Sequence, residues 1–321
     1  MNWLLPLKKV WWTVRYSFPI WVDNHTYPPL IRTTKNRLFR SHAARVRSVM
    51  RQYEIAFGHS FDLQNPQTFN EKIQWLKLFY PNPLITVCAD KYRVREYVAE
   101  TIGPQYLANL LAVYDRPGEI DFDALPNQFA LKVNWGSGQN YICRNKSEIS
   151  ENECRKTLKN WLKPWQNQYF FALEWGYRDI PPKIICEEYL KFLEDNPKVF
   201  KIMCFNGEPR VVQLVMDDKT PRETINYYDT QWNLLPFGQN FPTNPEPIAK
   251  PVFWEEMLEL ARKLCKPFPF VRVDFYESPK HIYFSEMTFY SDAGLARFQP
   301  EEWDLKLGEM LTLPEPVIEK P

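Results

Sequence analysis

No CxxC pair occurs among the six cysteines (Cys88, Cys143, Cys154, Cys186, Cys204 and Cys265), and no histidine stands at metal-ligand spacing from one of them. Neither a zinc module nor a redox dithiol is expected. Several of the cysteines sit in apolar, strand-like runs such as IICEEYL, as buried free thiols of a reducing compartment do. No apolar run approaches the ~18 residues of a membrane-spanning helix. The N-terminus lacks the apolar core and small-residue cleavage site of a signal peptide, which makes the cytoplasm the expected compartment. There is no G-x-S-x-G elbow, and Asp217-Asp218 is a bare pair, not a D-x-D metal motif. The four histidines, His59 and His281 among them, read as structural or exposed. Internal repeats and low-complexity tracts are also missing. A net charge of +1 offers a polyanion nothing, and no nucleic-acid partner is expected.

What is present is enough apolar and aromatic material, 45% and 16% of 321 residues, to bury one large domain or two medium ones. The near-neutral charge conceals an asymmetry. Residues 1–51 hold ten Lys/Arg and one acid, Asp23, for +9, so the other 270 residues carry −8. Trp3, Trp11, Trp12 and Trp21 lie in the same basic head, and Pro19, Pro28 and Pro29 interrupt it. Residues 1–40 thus read as an accessory arm. It either packs on the domain or lies peripherally on an anionic membrane surface, with Trp at the interface and Lys/Arg facing lipid headgroups. The second reading puts the protein at the inner face of the membrane.

Helical spacing covers residues 43–57, 68–80 and 151–163, and the run 252–265. Thr68 with Glu71 forms a capping-box pattern. DKYRVREYVAETIG reads as a helix opened by Asp90 and closed near Gly103. Strands are expected at YLANLLAVY, QFALKVN, KIICEEYL, KVFKIMCFN, PRVVQLVMD, FVRVDFYE and HIYFSEMTF, with a hairpin turn at Asn206-Gly207. The interleaving of helices with antiparallel strands predicts an α+β fold in two packed lobes plus the arm.

Four stretches carry chemistry. ALKVNWGSG places Lys132 in a strand ahead of Gly136-Ser137-Gly138, whose backbone N–H groups suit phosphate; alone, this also fits an ordinary turn. ADKYRVRE puts Lys91 at a helix start, against the helix dipole, where a solvated surface lysine is the plain alternative. IICEEYL ends a β-branched run on paired acids, which also fits a strand meeting solvent. VRVDFY and FSEMTF set Asp274 and Glu286 on adjacent strands, with Thr288 on the same face as Glu286. Facing carboxylates repel unless a cation lies between them. Mg²⁺ on nucleotide phosphates satisfies that need, and so does a salt bridge to Arg272 or Lys201.

In this order the stretches NPQTFNEKIQWLKL, ADKYRVREYV, LPNQFALKVNWGSG, IICEEYL, FKIMCFNGEP, FVRVDFY and FSEMTFYSDAG resemble the TupA-like ATP-grasp family, of polysaccharide and teichuronopeptide biosynthesis type. The resemblance covers roughly residues 50–310. It implies an ATP-grasp fold, two α+β lobes clasping ATP behind a helical N-terminal region. The expected division is arm and first helix 1–60, helical region 61–115, small lobe 116–190 and large lobe 191–321. Lys91, Lys132 and the Gly136-Ser137-Gly138 loop are then similar to the phosphate-binding elements, with Lys201 also beside the nucleotide. Glu187 resembles the acid taking the adenine amino group, with backbone contacts from Glu188 to Leu190. Asp274 and Glu286 match magnesium ligands, with Thr288 as a third where the superfamily often has Asn. Arg272 matches the arginine that steadies the transferring phosphoryl group, and with Lys132 forms the catalytic pair. Val199 stands where an acid is expected for the ribose, leaving Glu194 or Asp195 to replace it. Arg297 is the candidate clamp for a substrate carboxylate.

The activity implied is ADP-forming ligation of a carboxylate to an amine, with ATP and Mg²⁺, on a small-molecule or glycan carboxylate. The rivals are a sugar kinase, a glycosyltransferase and a non-catalytic nucleotide-binding subunit. If the arm meets membrane, deleting residues 1–40 abolishes pelleting with anionic liposomes at low salt and leaves ATP binding intact. Equal pelleting of both proteins removes the membrane reading.

Overall fold

A computed structural model of the chain describes residues 41–194, 198–218 and 220–317. The arm, and with it the membrane reading, lies outside the described residues, as does Asp195. The fold is α+β, with two wholly antiparallel sheets. Among the described residues the α-helices of seven residues or more are α1 His42–Phe57, α2 Phe69–Phe79, α3 Pro83–Ala89, α4 Val94–Thr101, α5 Glu151–Trp161, α6 Trp254–Cys265 and α7 Glu302–Glu309. Strands β1 Leu110–Tyr114, β2 Phe129–Val133, β3 Asn140–Cys143 and β4 Ile184–Glu188 form a sheet ordered β1-β4-β2-β3. Strands β5 Lys198–Phe205, β6 Glu208–Met216, β7 Thr224–Asp229, β8 Phe270–Glu277 and β9 Ile282–Thr288 form the second, ordered β7-β6-β5-β8-β9.

Local chemistry explains these boundaries. Thr68 accepts from the Glu71 amide while Glu71 returns to the Thr68 amide, so the capping box starts α2 as its sequence pattern requires. Asn206 and Gly207 both take positive φ, 50° and 80°, the geometry that turns β5 into β6 without splaying them. α6 buries Trp254, Met257, Leu258, Leu260, Ala261, Leu264 and Cys265 along one stripe and packs across β5, β6 and β8. All six cysteines are buried free thiols.

Two expectations need correction. Asp90 does not cap an α-helix: its Oδ1 accepts from the Tyr92 and Arg93 amides, closing a turn, and α4 begins only at Val94. Lys91 therefore sits in a turn before the helix, where no helix dipole opposes it. The four-stranded sheet also starts earlier than residue 116. Leu110–Tyr114 pairs with β4, because β4 needs a partner on the edge that β2 does not cover.

The N-terminal helix α2 is bolted to the C-terminal α7. Asn70 donates its backbone and side-chain N–H groups to the two oxygens of buried Asp304, each at 2.9 Å. Burial pushes that carboxyl up to about 6. Lys72 Nζ reaches the carbonyls of Gly308 and Leu311 at 2.8 Å. Gly308 is the contact that allows this approach, since a Cβ there would lie 2.2 Å from the Gln67 carbonyl oxygen. On helix propensity alone, Gly308→Ala would stabilise by about 1 kcal/mol. The clash predicts the opposite sign, a loss of about 1–3 kcal/mol in denaturant unfolding.

Candidate active site

The site begins as a row of polar side chains across the larger sheet. Tyr227, Gln213, Lys201, Asp274 and Glu286 are successive register partners on β7, β6, β5, β8 and β9. Register partners share a face, so all five point the same way, while Val271, Val273 and Phe275 take the opposite face. One residue on either side of Asp274 the chain is apolar; the polar row is confined to one line.

At its β8–β9 end the row becomes an ion cluster. Arg272, 7% exposed, donates Nε and Nη2 to the two oxygens of Asp274, each at 2.8 Å. Nη2 also reaches Thr288 Oγ1 at 3.1 Å and lies 3.6 Å from Glu286 Oε1, and Nη1 reaches Ser291 Oγ at 3.3 Å. Lys91 Nζ stands 3.2 Å from Glu286 Oε2 and donates to the Gly136 carbonyl at 3.0 Å. That one ammonium joins the glycine loop of the small lobe to the acid of the large lobe. Burial opposes ionisation of Glu286, but Lys91, Arg272 and Lys201 outweigh it and hold the carboxyl down at about 2. Burial raises Asp274, and Arg272 and Lys201 offset part of this.

The opposite wall comes from the smaller sheet. Lys132 Nζ meets Glu187 Oε2 at 2.6 Å, and Arg95 Nη1 meets Oε1 at 2.6 Å. Burial lowers Lys132, but Glu187, Tyr276 and Glu286 together more than reverse this, so the lysine stays charged. The cleft between the walls is lined by Lys91, Arg95, Lys132, Glu187, Leu190 and Tyr276, among others. Alternation along β4 separates the paired acids. Glu187 enters the cleft, whereas Glu188 turns outward and accepts from the Asn109 amide and side chain at 2.8 and 2.9 Å. Buried Asn134 fixes the loop end: its Nδ2 donates to Asp90 Oδ1 and the Pro181 carbonyl, and its Oδ1 accepts from the Lys183 amide. Ser137 and Gly138 are exposed, and Gly138 has φ +68°.

The structure thus puts Lys91, Lys132 and Glu187 in the lining of one cleft, and Lys91 joins that lining to Glu286, with Arg272 and Asp274 behind it and Lys201 opposite Asp274 in the sheet. Val199 is buried and paired with Tyr276, and Glu194 accepts from Tyr189 Oη at 2.6 Å beside Arg144. Arg297 is not at the site. Its Nε and Nη2 both donate to the Ala56 carbonyl, at 3.1 and 2.9 Å, and its guanidinium lies over Phe57, so its donors serve α1. Sequence reasoning missed Arg95, although it lies inside ADKYRVREYV. It also missed Gln74 and Lys77, whose only signal was polar residues on a helix face otherwise buried.

The donors suit Mg²⁺. That ion takes one or two carboxylates and completes its shell with phosphate and water oxygens. Glu286, side chain 35% exposed, has the open side, while Asp274 is already engaged by Arg272 through both oxygens. The Thr288 hydroxyl accepts from Arg272 and so orients the guanidinium. Among the described residues no cluster of three or more His, Cys, Asp or Glu converges, so phosphate oxygens would have to complete the shell.

The sequence matches the family described as TupA-like ATPgrasp over residues 71–312, about three quarters of its length. The chain belongs to the TupA-like ATP-grasp family. Among solved structures it is similar to D-alanine–D-alanine ligase from Bacillus anthracis complexed with ATP, at 14% identity over 63% of this chain and 55% of that one, TM-score 0.39. The D-alanine–D-alanine ligase of Helicobacter pylori matches at 13% identity over 77% and 70%, TM-score 0.42. N5-carboxyaminoimidazole synthase from Aspergillus clavatus matches at 14% over 72% and 53%, TM-score 0.37. The chain therefore spans little more than half the length of the first of these, and scores this low say nothing of its ligands. A comparison with curated proteins finds no match.

This TupA-like ATP-grasp site makes a comparative prediction. ATP with Mg²⁺ raises the melting temperature by mass action on the native state. Lys132→Ala weakens that rise more than Lys191→Ala, because Lys191 is exposed and outside the cleft lining. Equal responses of the two variants remove the phosphate role of Lys132.

Proposed function

We propose that the protein is an ADP-forming carboxylate–amine ligase of cell-surface polysaccharide assembly, joining an amine or amino acid to a uronic-acid-type carboxylate. The observation that carries this reading is the charge balance of the cleft. Five cations (Lys91, Arg95, Lys132, Lys201 and Arg272) meet four carboxylates (Glu187, Asp274, Glu286 and Asp292, which acts on Arg272), a positive surplus. The anionic magnesium complex of ATP has the opposite sign. Phosphoryl transfer needs such positioning and charge neutralisation more than covalent help from the protein. The family resemblance to polysaccharide-type ATP-grasp proteins supports the choice of substrate class.

Lys91 and Arg272 have two roles open to them. They neutralise Glu286 in the free protein, and each is placed to turn to a γ-phosphate when nucleotide enters. Lys132 and Arg95 hold Glu187 in one orientation at the other end of the cleft, where its free lone pairs can accept from an adenine amino group. Asp274 and Glu286 would hold Mg²⁺, which when bound disperses phosphate charge. In the reaction a substrate carboxylate oxygen bonds to the γ-phosphorus as the bridging P–O bond breaks and ADP leaves. The amine nitrogen then bonds to the acyl carbon. The C–O bond to phosphate breaks, and the proton shed by nitrogen leaves with the phosphate.

An acceptor carrying ¹⁸O in its carboxylate should pass one label to the phosphate released, with ADP rather than AMP as coproduct. Label retained in the acceptor while ADP forms points instead to a kinase. Glu286→Gln is the cleaner variant for the metal ligands, because Asp274→Asn leaves the buried Arg272 charge under-compensated. We expect Glu286→Gln to fold and to lose about a hundredfold or more in turnover. Wild-type turnover in that variant rules out the assignment.

A further inference from the structure

Two matched stretches, NEKIQWLKL and YSDAG, have no part in the nucleotide chemistry above, yet the structure joins them. Directly after β9, Asp292, Ala293 and Gly294 take φ of 47°, 56° and 62°, three consecutive residues in the left-handed region. For a non-glycine residue that conformation costs about 1–2 kcal/mol. Strain of this kind persists only where its surroundings over-determine it.

The surroundings come from α2. Gln74 Nε2 donates to the carbonyls of Ala293 and Gly294, at 3.0 and 2.6 Å. Lys77 Nζ donates to the same Ala293 carbonyl at 2.5 Å and to Gln74 Oε1 at 2.9 Å. Gln74 is fully buried and Lys77 is 3% exposed. A Cβ on Gly294 would lie 2.5 Å from Gln74 Nε2, so the turn is seated tightly against the helix. A buried lysine and a buried amide are thus committed to holding one strained turn.

What the turn presents is a carboxylate. Asp292 is half-buried, and it lies within electrostatic reach of Arg272, Glu174 and Tyr227. Neighbouring Ser291 accepts from Arg272 Nη1. The charges nearby are otherwise balanced: Arg272 is matched by Asp274 and Glu286, and Lys77 faces Glu174. Asp292 remains as an extra anion beside the guanidinium. The Tyr290 hydroxyl, on a residue 2% exposed, is buried nearby, where the Glu174 carboxylate and the Gly176 backbone act on it. Asp292 and Ser291 thus stand on one turn beside Arg272, the first a carboxylate and the second a hydroxyl acceptor.

We propose that Asp292, presented by this left-handed turn, binds the ammonium group of the amine substrate, and that Gln74 and Lys77 are positioning residues that hold the turn. The proposal rests on the ligase reading and names the amine as a cation, docked beside the guanidinium that braces the phosphoryl group. One ammonium proton passes to the Asp292 carboxylate before the nitrogen lone pair attacks, and a second leaves with the phosphate. A carboxylate substrate would be repelled by Asp292.

The test uses the full chain with Mg²⁺ and the non-hydrolysable analogue AMP-PNP. L-alaninamide is the cationic probe, and L-lactamide is its neutral isostere. Calorimetry or ligand-observed NMR should show saturable binding of alaninamide and none of lactamide. Asp292→Asn is the chosen variant, because asparagine tolerates positive φ and the turn should survive. It should weaken alaninamide by about tenfold or more, the loss of a charge-assisted hydrogen bond, and leave AMP-PNP affinity unchanged. Gln74→Leu should weaken alaninamide as well, with Asp292 intact and AMP-PNP affinity retained. If Gln74→Leu does not fold, Asp292→Asn decides alone. The subsite is overturned by equal binding of alaninamide to wild type and Asp292→Asn. It is also overturned by no saturation of the wild type up to about 100 mM, or by lactamide binding as well as alaninamide. AMP-PNP failing to bind the wild type would instead refute the ligase reading itself, so the two failures are distinguishable.

Discussion

Asp274 and Glu286 stand opposite each other on neighbouring strands, and two carboxylates cannot hold that position without cations. Arg272 meets the requirement from the same strand as Asp274, two residues earlier, because period-2 alternation puts both on one face. Lys91 meets it from another part of the chain. The shared need of these two acids fixes the side chain of Arg272, the position of the Gly136 carbonyl through Lys91, and hence the approach of the small lobe to the large one. Groups that neutralise each other in the free protein are those suited to share their charge with phosphate and metal.

The helical N-terminal region is part of this arrangement. α2 touches the C-terminal helix through Asn70 and Lys72, and the turn after β9 through Gln74 and Lys77. Residues spaced over two turns of one helix thus hold elements more than 200 positions later in sequence. Loosening α2 would disturb the turn beside Arg272 as well as the stability of the fold.

Much of the fold was legible in local patterns. The capping box of Thr68 and Glu71, the Asn206-Gly207 hairpin and the alternating strands around Asp274 and Glu286 depend on neighbours within a few residues. The ordered stretches also pointed to Lys91, Lys132, Glu187, Arg272, Asp274 and Glu286, which pair in the structure as Lys132 with Glu187, Lys91 with Glu286 and Arg272 with Asp274. Three readings failed for lack of distant partners. Arg297 follows the metal strand and looked available, but its donors go to Ala56 on α1. Asp90 looked like a helix cap, and its turn is set by Asn134 from the next lobe. β1 looked separate from the sheet until β4 paired with it.

The sequence by itself determined the elements and the chemistry of the nucleotide cleft, because side-chain alternation, capping and turn conformation act over a few residues. Only the tertiary structure decided which cation meets which carboxylate. Lys132 takes Glu187, Lys91 takes Glu286, and Arg272 takes both Asp274 and the hydroxyl of Thr288. It likewise decided that Gln74 and Lys77 face the turn at Asp292 rather than solvent. Charge pairing falls off over a few ångströms of space, and separation along the chain carries no information about that distance until the sheets and helices have packed.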